Sequence, residues 1–335
     1  MDQDFAETQR KDARDAFARH ATGNALLELN RASMDAGFRS YWRGDDNGRS
    51  VIVMDSPPDK EDVRPWLVIR DRLEANGVRV PRVEARDIEH GFLLLEDLGT
   101  HTLLQDIERL DADAWFARAI DQLLKMQSMP LDADLPHYDE AMLARELRLF
   151  DEWYVGKHLG LSLDCGAAEK LDLAYRRLMD QILTQPTVFV HRDFMPRNLM
   201  PVADELAVLD FQDAVQGPIA YDALTLFKDA FISWPAEFVD RHWREYHSRA
   251  VAQGLPVRAD FSAFAKDLDY IGIQRHLKVI GIFARLHHRD AKPKYLTDAQ
   301  RFFAYLDEAV PKYAELQPLR DVLDGVVKPA MQKTS

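Results

Sequence analysis

Apolar and polar positions change rhythm along this chain. Residues 1 to 30 are mostly polar, with Phe17, Leu26, Leu27 and Leu29 as apolar contacts, and this spacing predicts helix. From 38 to 97 the apolar runs shorten. Phe38 to Arg43 and Ser50 to Met54 read as strands, and Gly44-Asp45-Asp46-Asn47-Gly48 between them is a hairpin signal. Asp62 to Asn76 predicts a helix, with Pro65 in its first turn and Gly77 just past its end. Val80 to Ala85 and Phe92 to Leu95 are two further short strands, and Glu96-Asp97-Leu98-Gly99-Thr100 breaks the pattern.

Beyond Gly99 the rhythm is helical, over 111–128, 138–155, 166–184, 221–232, 236–253, 260–288 and 298–311. Val188-Phe189-Val190 and Leu206-Ala207-Val208-Leu209 interrupt it as short apolar runs, each ending in a charged cluster. The expected class is α+β and bilobal: a small β-rich N-lobe over 1–97, then a larger, mainly helical C-lobe over 98–335 containing one hairpin. Two lobes joined by a hinge imply a ligand cleft.

Composition narrows the partners. The net charge of −13 argues against general nucleic-acid or membrane-surface binding, so an anionic ligand needs a local cluster of cations. Cys165 stands alone, which excludes an internal disulfide, suits a reducing compartment and reads as a buried or indifferent thiol. The N-terminal stretch has no apolar leader pattern, and no window reaches the ~18 apolar residues of a spanning helix. A cytoplasmic location is expected, and the oligomeric state is open.

The candidate chemistry lies in a tripeptide that occurs twice, at His191-Arg192-Asp193 and His288-Arg289-Asp290. The second copy ends a helical run and has Tyr295 five residues after its aspartate. The first follows a strand and reads His191-x-Asp193-x4-Asn198, and twelve residues later a second apolar run ends in Asp210-Phe211. A carboxylate, an amide and a second carboxylate suit phosphoryl transfer. One orients or accepts the proton of the attacking hydroxyl, and the other two offer oxygen to magnesium on nucleotide phosphates. The plainer alternative makes Asp193 and Asp210 turn residues and Asn198 a helix cap.

"VHRDFMPRN" followed by "VLDFQDA" resembles the catalytic and metal loops of the protein-kinase-like superfamily, and the spacing is similar to its aminoglycoside and choline phosphotransferase branch. "GPIAYDALTL" resembles that branch too. "VMDSPP", "GFLLLEDLG", "LRLFDEWYVGKHLG" and "GIQRHLKVIGIFARL" resemble the cell-wall sugar kinases, which phosphorylate N-acetylmuramate and N-acetylglucosamine at the anomeric carbon in peptidoglycan recycling. The resemblance spans about residues 30 to 315. It implies a bilobal protein-kinase-like fold, ATP and Mg2+ as cofactors and a small amino sugar as partner. It implies Asp193 as the catalytic carboxylate, Asn198 and Asp210 as metal ligands, His191 as a brace of the loop, and Glu96 to Leu98 as the hinge that meets adenine. Arg197, between base and metal ligand, would touch the transferring phosphoryl group.

Two departures from the family stand out. Only Gly37 lies in the presumed phosphate turn, although backbone amides from Ser33 to Gly37 offer an anion-binding nest. Met54 stands where the phosphate-binding lysine is expected. With a two- or four-residue hairpin loop, strand parity puts Arg39, Tyr41 and Arg43 on the face of Ile52 and Met54, so Arg39 or Arg43 can replace the lysine; a three-residue loop reverses this. For the acceptor, Gln274, Arg275 and Lys278 lie in one helical run and suit a carboxylate, against the alternative of a solvated basic face. Glu146, Arg148, Asp151 and Trp153 form a second candidate patch. A kinase of an aminoglycoside, choline or amino alcohol, and a nucleotide-binding pseudokinase, are the competing readings.

Overall fold

The computed structural model describes residues 2–34, 38–292 and 294–334. It begins with helix α1 (Asp2–Thr22), strands β1 (Leu29–Met34), β2 (Ser40–Asp46) and β3 (Arg49–Asp55), helix α2 (Arg64–Ala75), and strands β4 (Val83–Asp87) and β5 (Phe92–Glu96). Helices α3 (Leu103–Asp106), α4 (Ala112–Gln127) and α5 (Glu140–Leu149) follow. A π-helical segment, Phe150–His158, continues α5 and precedes α6 (Cys165–Ile182). Strands β6 (Thr187–Val190), β7 (Leu199–Val202), β8 (Glu205–Val208) and β9 (Val215–Pro218) lead into α7 (Ala220–Thr225), α8 (Ala236–Ala252), α9 (Phe261–Asp290) and α10 (Lys294–Ala309).

Cα packing divides the chain into two units. One comprises Met1–Gln122 with Pro196–Gln212, the other Leu123–Met195 with Asp213–Ser335. The cut expected after residue 97 is placed differently. The β7–β8 hairpin groups with the first unit because Val208 N donates to Arg79 O at 2.8 Å, Arg79 pairs with Glu205 at 3.2 Å, and Arg118 Nε donates to Asp204 O at 2.9 Å.

The first unit is built on an antiparallel sheet in the order β1-β2-β3-β5-β4. Asn47 and Gly48 both have positive φ and close a two-residue loop between paired Asp46 and Arg49, the turn whose twist suits a hairpin. The register follows: Tyr41 opposes Met54 and Arg43 opposes Ile52. The other face of β3 carries Val51 and Val53, which pack with Leu94, Leu27 and Ala18 of α1 into an apolar core. Arg10 and Arg14 pair with buried Asp55, at 2.8 and 3.4 Å, and fasten α1 to that sheet. Helix α1 stops at Thr22, short of the expected residue 30, where Gly23 at φ +72 ends it; a turn over 23–28 and the start of β1 take the remaining positions.

The second unit is helical and is centred on α9, which packs on α5, α6, α7, α10 and the π-helical segment. Gly281 of α9 meets backbone, since an added Cβ would lie 2.3 Å from Leu149 C and O. The expected helix over 221–232 ends at Thr225, and Asp229 Oδ1 instead accepts from the amides of Phe231 and Ile232. The expected single hairpin is two separate two-stranded sheets: β6 pairs with β9, and in the first unit β7 pairs with β8. Cys165 opens α6 and is exposed, not buried.

Candidate active site

In the first unit, a cavity of about 360 Å³ opens on the even-numbered face of β3. Tyr41, Arg43, Ile52 and Leu95 line it from the sheet, Glu96 to Thr100 from the segment after β5, and Trp66 from α2. Arg197, Asn198, Met200, Leu209, Asp210 and Phe211 close it from the β7–β8 hairpin and its flanks. Trp66 packs on Phe211 with ring centroids 5.1 Å apart, an apolar floor beside a polar rim.

The two candidate metal ligands are neighbours on that rim. Leu209 N donates to Asn198 O at 2.9 Å, which holds the two ends of the hairpin together. Asn198 Nδ2 donates to Asp210 Oδ2 at 3.2 Å, and Gln212 Nε2 donates to Asp210 Oδ1 at 2.9 Å. Asp210 itself sits at φ +64. An amide oxygen beside a carboxylate fits magnesium, which takes one or two protein oxygens and completes its shell with phosphates and water.

Of the residues considered for phosphate contact, the cavity is lined by Ser33, Arg43 and Arg197. Arg43 donates to both Asp97 oxygens, at 2.5 and 2.9 Å, and to Gly99 O at 2.8 Å, so it is tied to the segment just after Glu96. Burial would raise Asp97, but Arg43, Ser50 and the Gly99 amide outweigh it and hold its carboxyl below the usual value. Arg39 is nearly buried and faces Glu61 at 3.3 Å. Gly37 lies outside the described residues, as does most of the proposed nest. Glu96 is buried between Arg79 and Arg82, and Leu98 lines the cavity beside it.

The second unit holds the rest of the first His-Arg-Asp copy. His191 is fully buried; its Nδ1 accepts from Asp193 N at 3.3 Å and its ring meets Phe194 edge-on. Arg192 takes a left-handed φ of +77, which a non-glycine residue adopts only under restraint. Asp222 supplies part of that restraint. Its carboxylate accepts from His191 N at 2.7 Å and Arg192 N at 3.0 Å. Burial pushes the Asp222 carboxyl up to about 6 despite these donors and nearby His191. Asp193 is half-exposed, and Arg275 Nη2 stands 3.8 Å from its Oδ1, an ionic contact longer than a hydrogen bond. The second copy differs, with Asp290 bonded to its neighbour Arg289 at a helix end.

The acceptor candidates separate into two groups. Glu146, Gln274 and Lys278 form one buried network, and Arg275 lies 3 % exposed on the same helix, so this is not a solvated basic face. Glu146 would be raised by burial, yet Lys278 and Arg192 hold it below the ordinary carboxylate value. Arg148 is not part of the network; it pairs with Asp151 and Asp172 at 3.0 and 2.6 Å over the Tyr175 ring. Trp153 is half-buried in the π-helical segment. Arg192, Asp222 and Tyr138 escaped the sequence reading; "GPIAYDALTL" contained Asp222 without its role, because its partners lie 30 and 31 residues earlier.

A β-sheet N-terminal region, a helical C-terminal region and these loops define a kinase-like fold, and the chain belongs to the phosphotransferase enzyme family, whose model matches residues 28–261. It is 49% identical over 310 residues to the N-acetylmuramate/N-acetylglucosamine kinase of Pseudomonas putida, covering 92% of this chain and 91% of the relative. The enzyme of the same name from Neisseria meningitidis serogroup B is 42% identical, with 90% and 91% covered. A choline/ethanolamine kinase family protein from Mesorhizobium loti shares the fold with a TM-score of 0.64 at 15% identity, covering 93% of this chain and 99% of its own.

Proposed function

We propose that this protein transfers a phosphoryl group from ATP to the anomeric hydroxyl of N-acetylmuramate and N-acetylglucosamine. The observation that carries the reading is the 49% identity, over nearly the whole of both chains, to a kinase named for those two sugars. In this reading Asn198 and Asp210 hold Mg2+, which neutralises phosphate charge when bound. The cavity of the first unit takes the nucleotide, with Glu96 to Leu98 meeting the base, Arg43 fixed beside them and Arg197 directed to phosphate.

Asp193 orients the attacking hydroxyl and accepts its proton. An anomeric hydroxyl is more acidic than an ordinary alcohol, so a carboxylate of ordinary basicity can take that proton late. His191 keeps the loop in shape through the Asp193 amide. Arg275 is the cation turned toward Asp193, and an anionic acceptor such as N-acetylmuramate is favoured beside it over a cationic aminoglycoside or choline.

The test is to incubate the protein with ATP, magnesium and each sugar and to locate the phosphate by phosphorus-coupled NMR. The expected product is the 1-phosphate, with loss of the reducing end. Phosphate at O6, or turnover of choline or an aminoglycoside with neither sugar phosphorylated, would overturn the substrate assignment.

A further inference from the structure

We infer that Glu146 is a positioning residue that holds the catalytic loop in shape through Arg192, and that it does not bind the acceptor sugar. The inference rests on the kinase reading above. Its starting point is strain. Arg192 sits between His191 and Asp193 with φ +77, a left-handed conformation that a non-glycine residue rarely adopts. Such a residue stays there only where its surroundings fix it from more than one side. Asp222 fixes the backbone by accepting from the amides of His191 and Arg192. Glu146 fixes the side chain, with Oε1 accepting from Arg192 Nη2 at 2.7 Å.

Glu146 has little left to offer a ligand. Oε1 also accepts from Lys278 Nζ at 2.8 Å; Oε2 accepts from the Tyr138 hydroxyl and from Gln274 Nε2 at 3.2 Å. A carboxylate has about four lone-pair sites, and four donors fill them. The residue is 6 % exposed, so it is shut from solvent as well. Its charge has a second effect. Arg192 and Lys278 both point at one oxygen, and the Glu146 charge offsets the repulsion between these two shielded cations. Without it, the Arg192 guanidinium is driven away, and the strained peptide carrying Asp193 as its next residue relaxes with it. Displacement of a base by even about 1 Å slows the chemical step more than it weakens binding.

A double-mutant cycle in the full chain tests this, using ATP and N-acetylglucosamine, an uncharged acceptor insensitive to altered field at its own charge. Glu146→Gln and Arg192→Met should each lower kcat roughly 10–100-fold while both KM values stay within about threefold. The double variant should be no slower than the slower single one, because one interaction is being removed twice. Glu146→Asp keeps the charge and should recover part of kcat; together with Arg192→Lys it supplies the cycle if a neutral variant does not fold. A sugar KM raised about tenfold or more with kcat retained would make Glu146 a sugar ligand and overturn the inference. Multiplicative losses in the double variant would overturn it too. A wild-type protein that phosphorylates neither sugar fails the kinase reading instead, a result the cycle cannot produce by itself.

Discussion

At the scale of single residues, the two His-Arg-Asp copies make a controlled comparison. Asp193 is held in a buried, hydrogen-bonded loop, whereas Asp290 ends a helix in contact with Arg289. Asp193→Asn should lower kcat by about 10²–10⁴-fold, the usual worth of a general base, with thermal midpoint and nucleotide affinity unchanged. Asp290→Asn should leave kcat at wild type, and steady-state kinetics of both variants decide the matter. Asp222 gives a pH signature. Its folded pKa of about 6 lies above the ordinary 3.8, so the folded state holds this proton more tightly than the unfolded chain. Its contribution to stability is therefore fully present below about pH 4 and is lost as the pH rises through 6. Between pH 7.5 and pH 5 the stability of wild type relative to Asp222→Asn should grow by about 1 kcal/mol, measured by urea unfolding. A difference independent of pH would show that the group does not titrate there. What sequence offers for separating the two copies is the spacing to Asn198 and Asp210, which only the first has. The clamp on Arg192 was not legible there, since Glu146 and Asp222 are brought to it by tertiary packing.

Elements follow the same division between local and tertiary information. The β2–β3 hairpin was legible as a hairpin, but its register was not, because the loop length was open in sequence until the structure closed it with Asn47-Gly48 between paired Asp46 and Arg49. Parity puts Arg43 on the cavity face, but only the structure shows it committed to Asp97 and Gly99 O. Strand β1 was missed because "LNRASM" has little alternation, and it is made a strand by pairing with β2. The run from 138 to 155 was expected as plain helix; its second half is π-helical next to the crossing with α9. That crossing depends on Gly281. Alanine there brings Cβ into Leu149 backbone, so Gly281→Ala should destabilise by about 3 kcal/mol despite alanine's better helix propensity. A thermal or urea midpoint equal to wild type would mean that α5 and α9 can separate at little cost.

For the molecule as a whole, the net charge of −13 argues against general nucleic-acid or membrane-surface binding, and the described residues place Arg43 and Arg197 at one cavity and Arg275 beside Asp193. Fold class was legible because the change from short apolar runs to helical spacing near Gly99 is coarse and local. The membership of Pro196–Gln212 was not, since a hairpin between helices gives no sequence sign of which packing unit it joins. That membership bears on biosynthesis. The first unit is discontinuous, so a ribosome that has released residue 122 has not yet supplied Asn198, Met200, Leu209, Asp210 or Phe211, which form part of the wall of its cavity. The intervening Leu123–Met195 must emerge first. A free fragment ending at Gln122 is thus expected to show no magnesium-dependent ATP binding by calorimetry, and nascent chains should acquire it only once residue 212 has cleared the exit tunnel. With the nucleotide in the cavity as proposed, its capture during synthesis would be a late event, although more than half of the residues that line that cavity are translated early.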